Sequence, residues 1–231
     1  MNGIKKGFKK ITPAYIAKTA LLAAISYILY MFVKFPLPFM FPSFLEMQFS
    51  ELPALLAGFG VGPFSGCLVI IIKCALKLPF STTAMVGELM DCIIGLSVVL
   101  PASLFYSKLK TKKSALIGVI IGVSIATVFS MLFNRFVAIP FYVKLFFNGN
   151  FDAVVGICAT LYKGVNKTNF YLYYIFLGVL PFNLLRLSIV GLITFLTYKK
   201  LSKILHWEVT SKKKKKPSEV ENNCQTEEKD I

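Results

Sequence analysis

Asn183 and Arg186 stand three residues apart in GVLPFNLLRLSIVG, an otherwise apolar run, and Asn134 and Arg135 open NRFVAIPFY in another. Arg135 and Arg186 are the only arginines in the chain, and both lie inside hydrophobic stretches. STTAMVGELMDCIIG adds Glu88 and Asp91 to the same class. Asn183 and Arg186 share one face if their stretch is helical, because residues three apart on a helix are neighbours. Amide, carboxylate and guanidinium groups are costly in hydrocarbon and face a protein interior or a cavity. For any one of them, gluing helices together is the competing role. As a set they point to a polar cavity that hydrogen-bonds a ligand.

Acid–base and metal chemistry are poorly supplied. The lone histidine, His206, sits beside Trp207 in a basic flank and reads as an interfacial side chain. Cys67, Cys74, Cys92, Cys158 and Cys224 show no CxxC spacing, so neither a disulfide framework nor a metal site is expected. No GxxxxGKS or GxxxxGKT loop is present for nucleotide phosphates. An intramembrane enzyme would need a nucleophile–base pair or a metal cluster, and these residues assemble neither. The chain is read as not an enzyme, without metal or cofactor.

The elements that must position the polar residues follow from composition. Of 231 residues, 56% are hydrophobic and 14% aromatic, and the mean hydropathy is +0.68. This is the composition of a polytopic membrane protein. The apolar runs are continuous and lack period-two alternation, which argues against a barrel. A crossing takes roughly 20 apolar residues. The expected fold is all-α with six transmembrane helices, at about 14–34, 51–60, 63–78, 83–106, 114–141 and 171–201. Residues 1–13 form a basic arm, 14–205 the membrane domain, and 206–231 a charged tail expected to be disordered.

KFPLPFMFPSFLEMQFSE, with three prolines and many aromatics, is expected to be an ordered loop at the membrane surface, with 35–50 as a lid. The segment 142–170 mixes Lys, Asn, Gly and aromatics. The net charge is +15. Lysines 5, 6, 9 and 10, then 108, 110, 112 and 113, then 199, 200 and 203 fall on one side of six crossings. The positive-inside rule makes that side, and both termini, cytoplasmic. The charge therefore reads as topology and contact with anionic lipid rather than nucleic-acid binding, and lysines 212–216 are read the same way. Ala20 and Ala24, and likewise Gly118 and Gly122, are four apart. Such spacing allows close helix approach, either inside the protein or to a partner helix.

FPSFLEMQFSELPALLAGFGVGPFSG, STTAMVGELMDCIIG, NRFVAIPFY and LPFNLLRLSIVG together resemble the riboflavin-binding S components of energy-coupling factor transporters, over roughly residues 14–201. The resemblance implies a six-helix cell-membrane protein that binds one vitamin externally. It would dock on a transmembrane coupling protein and two cytoplasmic ATPases, with Ala20 and Ala24 facing the coupling protein. It implies that Asn183, Arg186 and Asn134 hydrogen-bond the polar edge of the flavin. The family often has Lys where Arg186 stands, and acidic residues near the position of Gln48 and Glu51. An isoalloxazine needs apolar walls and a few polar groups. Phe44, Leu45, Phe49, Phe141 and Tyr142 could supply the walls, and Glu88, Thr82 and Thr83 could meet the ribityl hydroxyls. An S component for another vitamin or a flavin analogue is the alternative reading.

Overall fold

A computed structural model describes residues 12–42 and 44–211. The expected basic arm up to residue 11, Ser43 of the segment expected to form a lid, and the expected tail from 212 lie outside the described residues, as do the side chains of His206 and Trp207.

Local chemistry sets the helix ends. Helix α1 (Pro13–Phe32) starts where the Thr12 side chain accepts the Tyr15 N–H and proline takes the first position, whose N–H would have no helical partner. A short hairpin follows, with strand β1 (Lys34–Pro36) antiparallel to strand β2 (Glu46–Gln48) and Lys34 opposite Gln48. The expectation of an all-α chain needs that correction. Both strands of this two-stranded sheet are edges, where proline such as Pro36 is tolerated. A 2.7 Å Lys34–Glu46 ion pair ties the two strands.

Helix α2 (Glu51–Gly60) is buried along almost its whole length. Helix α3 (Pro63–Lys77) follows through Gly62, whose φ of +146° suits a residue without Cβ. Helix α4 (Val86–Leu109) begins three residues later than the hydropathy implies. Ser81 and Thr83 side chains accept backbone N–H groups there, and Ala84 and Met85 take left-handed conformations before the helix can start. Helix α5 (Lys112–Phe133) opens with a reciprocal capping box between Thr111 and Ser114.

Beyond α5 the chain stays helical through a π-helical stretch, Asn134–Ala138, into helix α6 (Ile139–Phe146). Helix α7 (Phe151–Ala159) lies within the segment that composition left mixed. Helix α8 (Phe170–Tyr173) passes through a second π-helical stretch, Tyr174–Val179, into helix α9 (Leu180–Ser211). Helix α9 runs past residue 205, six residues into the stretch assigned to the tail.

Among the described residues, five helical stretches are long and apolar enough to cross a membrane: 13–32, 63–80, 86–109, 113–146 and 170–197. Helix α2, at 10 residues, spans only about 15 Å and is not among them. Helices α4 and α5 approach closely at two glycines. A Cβ on Gly122 would lie 2.6 Å from the Val98 carbonyl oxygen, and one on Gly118 2.9 Å from the Ala102 Cα. That glycine pair therefore serves internal packing. Ala20 and Ala24 are both exposed on α1.

Two apolar clusters form the interior. One joins α1 to α5 with Leu187 and Val190 of α9. The other joins Phe41, Leu45 and Met47 of the hairpin segment to α7, α8 and Phe182. Asn183 and Arg186 occupy the α9 turn between Phe182 and Leu187, where the clusters meet.

Candidate functional site

Four buried ions meet at that junction. The Arg186 guanidinium donates to Glu51 Oε1 at 2.7 Å and to Asp91 Oδ1 at 3.4 Å. Lys73 Nζ lies 3.7 Å from the same Glu51 oxygen and donates to Ser50 Oγ at 2.5 Å. Glu51 and Lys73 are 0% exposed and Arg186 is 3%. The tally of two cations and two carboxylates is neutral, which is what a buried cluster requires. The Tyr30 ring lies below the ammonium groups, 4.9 Å from Lys73 and 4.0 Å from Lys77, and adds cation–π attraction. Gln48 Nε2 donates to Asp91 Oδ2 at 2.6 Å, and Ser26 Oγ donates to the Ser50 carbonyl at 2.5 Å. The end of the hairpin segment is thereby bonded to α1, α3 and α4 through this cluster.

Two hydrogen-bonding atoms in the cluster are buried and have no partner: Glu51 Oε2, an acceptor, and Arg186 Nε, a donor. Leaving such atoms unmatched costs about 1–3 kcal/mol each. Buried polar atoms left unmatched call for a further partner, such as a bound water or a ligand.

An amide shelf adjoins the ions. Asn134 Nδ2 donates to the Ser130 carbonyl at 2.9 Å, and its Oδ1 accepts the Tyr174 hydroxyl at 2.7 Å. Asn183 Nδ2 donates to Ser130 Oγ and to the Val179 carbonyl, both at 2.9 Å. Among the described residues, none donates to the Asn183 side-chain oxygen. Both asparagines are buried, and each adjoins a π-helical stretch or lies within one. A π-turn widens the helix and frees backbone groups, a device common at functional sites.

A third group sits at the start of α4. Ser81 and Thr83 hydroxyls donate to Glu88 Oε2 at 2.7 and 2.9 Å. Glu88, Met90 and Asp91 run along one segment of α4 and link the three groups, with Asn134 Nδ2 reaching the Met90 sulfur at 3.4 Å.

The sequence-derived set divides accordingly. Asn134 and Asn183 meet at Ser130 with Arg186 one turn along α9, while Glu88 and Thr83 bond to each other at the start of α4. Phe44 packs on Tyr174 at 5.8 Å between ring centres, and Leu45 is buried in the same cluster. Phe49 packs on the other cluster and lies 6.3 Å from Phe35. Phe141 and Tyr142 stack edge to face at 6.5 Å. Thr82 is exposed, while its neighbours Ser81 and Thr83 hold the carboxylate.

Sequence reasoning passed over Lys73, Ser130 and Tyr174, and noted Glu51 and Asp91 without placing them in the site. Lys73 carries a legible signal: VIIIKCALK puts a lysine inside an apolar helix. Reading lysines as markers of helix ends hid it.

Residues 14–198 match the model of the family described as ECF transporter, substrate-specific component. The chain belongs to this family. It is thus a multi-pass membrane protein from a class of transporter components rather than of enzymes. Among its relatives, the riboflavin transporter RibU of Staphylococcus aureus (strain TCH60) is 30% identical over 80% of this chain and 89% of its own length. RibU of Streptococcus thermophilus (strain ATCC BAA-250 / LMG 18311) is 32% identical over 82% and 83%. The riboflavin transporter FmnP of Bacillus subtilis (strain 168) is 25% identical over 79% and 88%. A solved S component of a bacterial ECF transporter superposes with a TM-score of 0.63, at 28% identity, covering 83% of this chain and 96% of that one.

Proposed function

We propose that this substrate-specific component captures riboflavin at the outer face of the cell membrane and delivers it inward with a coupling module. The observation that carries the reading is the buried, unpartnered pair of Glu51 Oε2 and Arg186 Nε beside the Asn183 amide. The pyrimidine edge of isoalloxazine alternates carbonyl acceptors with an N–H donor. The carboxylate oxygen of Glu51 or the side-chain oxygen of Asn183 takes the N–H, and the Arg186 Nε–H takes a carbonyl. The relatives that carry the name riboflavin transporter support the same ligand.

Asn183, Arg186 and Asn134 contact or position the flavin edge. Phe44, Leu45, Phe49, Phe141 and Tyr142 form its apolar walls. Glu88 and Thr83, with Thr82 at the rim, receive the ribityl hydroxyls. The segment 35–50 acts as the lid. The chain crosses six times with both termini cytoplasmic, α2 completing the count through a crossing buried by its neighbours. Riboflavin is the transported substrate rather than a cofactor. A transmembrane coupling protein seats on the exposed Ala20 and Ala24 of α1, and two cytoplasmic ATPase subunits supply the energy.

The test is the absorption spectrum of protein purified in detergent from cells grown with riboflavin. The account predicts the visible bands of an oxidised flavin that survive desalting. Well-folded, colourless protein that other vitamins protect against heat would overturn the riboflavin assignment and leave the family standing.

A further inference from the structure

Arg135 is the arginine that the ligand site does not use. It follows Asn134 in the π-helical stretch, but Asn134 is buried and Arg135 is exposed. Its guanidinium carbon lies 3.5 Å from the centre of the Tyr171 ring and 5.9 Å from that of Phe136. The surrounding surface is apolar, with Leu132, Phe136, Leu172 and Phe176 all half or more exposed. Among the described residues, no carboxylate lies within ion-pair distance of Arg135. A solvated guanidinium needs no partner, but this one stands on the side of a membrane-length helix.

Its depth can be worked out. Arg135 lies roughly 22 residues beyond Lys113, or about 33 Å along the helix, against a hydrocarbon core of about 30 Å. It therefore reaches the headgroup boundary opposite the Lys108–Lys113 side. That boundary is on the lid side, because Asn134 contacts Met90 near the start of α4 and Gln48 bonds Asp91 one residue further on. Tyrosine concentrates at such boundaries. With one face of the guanidinium on Tyr171, its edge N–H donors remain free for the paired oxygens of a phosphodiester.

We propose that Arg135 and Tyr171 form a binding site for the phosphate of an anionic phospholipid in the lid-side leaflet. A zwitterionic lipid carries its own cation to the same place, so net charge favours an anionic headgroup. The site is separate from the ligand pocket and independent of its occupant.

The full chain in mild detergent is incubated with equimolar phosphatidylglycerol and phosphatidylcholine, and retained lipids are counted by native mass spectrometry. Wild-type protein is expected to keep one phosphatidylglycerol in preference to phosphatidylcholine. Arg135→Gln should lower that adduct about fivefold, as expected for roughly 1 kcal/mol per basic residue at a headgroup. Arg135→Lys should retain part of it. Tyr171→Leu, which keeps the charge and removes the stacking ring, should lower it about twofold and serves if Arg135→Gln does not fold. Equal retention by the wild type and Arg135→Gln would overturn the proposal, as would equal retention of the two lipids. Displacement by millimolar inorganic phosphate would make this a simple anion site and overturn the lipid assignment. Riboflavin titration of the same samples reports the ligand pocket separately.

Discussion

Replacing Arg186 with leucine removes one cation from a buried quartet. Within ion-pair distance Glu51 then keeps only Lys73, at 3.7 Å, and Asp91 keeps no cation. The interior holds one uncompensated negative charge, and breaking a buried pair in this way costs about 3–5 kcal/mol. For a domain of about 200 residues each kcal/mol is worth roughly 2–4 °C, so Arg186→Leu should lower the melting temperature in detergent by about 10 °C. Charge balance supplies the internal control. Adding Asp91→Asn restores neutrality and leaves an oxygen for the Gln48 amide, whose bond to Asp91 is 2.6 Å. The double variant should recover at least half of the loss. The assay is thermal unfolding without ligand, followed by intrinsic tyrosine fluorescence. A single variant as stable as wild type would refute the ion-network reasoning, as would a double variant less stable than the single.

Other expectations follow from the same geometry. Asn134→Leu and Asn183→Leu should each weaken riboflavin binding by about 1–3 kcal/mol, roughly 5- to 150-fold, in a fluorescence-quenching titration. Gln48→Leu cuts the bond between the hairpin and Asp91 and should speed riboflavin dissociation several-fold in stopped-flow release, with little change in association. Gly122→Ala places a methyl group 2.6 Å from the Val98 carbonyl and should cost about 1–3 kcal/mol in thermal stability, whereas Gly156→Ala, with open space around it, should be nearly silent. Burial pushes the Cys158 thiol up to about 12, so the reactive thiolate is scarce at neutral pH. A water-soluble maleimide should leave Cys158 unlabelled in folded protein at pH 7 and label it once the protein is unfolded in detergent and denaturant.

The helices were legible because continuous apolar runs and cap residues carry their own signal. Thr12, Pro13, Thr111 and Ser114 mark two helix starts without help from tertiary structure. The hairpin was not legible, because its register rests on the Lys34–Glu46 contact and on docking of Gln48 to α4 rather than on strand propensity. The π-helical stretches were invisible for a similar reason: Asn183 bonds across to Ser130 of α5 and Asn134 accepts from Tyr174, partners that no spacing rule names. Hydropathy overran the start of α4 because the left-handed Ala84 and Met85 look helical by composition. The amide half of the site was readable from Asn134 and Asn183, which break apolar runs. The ionic half was not. Glu51 was taken as a helix start and Lys73 as one more lysine, and only tertiary packing brings them to Arg186.

The central claim is that this polar junction recognises riboflavin, and one titration addresses it most directly. Purified, ligand-free protein is added to a fixed concentration of riboflavin while flavin fluorescence is followed. The account predicts quenching that saturates near one protein per riboflavin and is lost in the Asn134→Leu, Asn183→Leu double variant. Unquenched fluorescence with folded wild-type protein, or equal quenching by wild type and double variant, would contradict it.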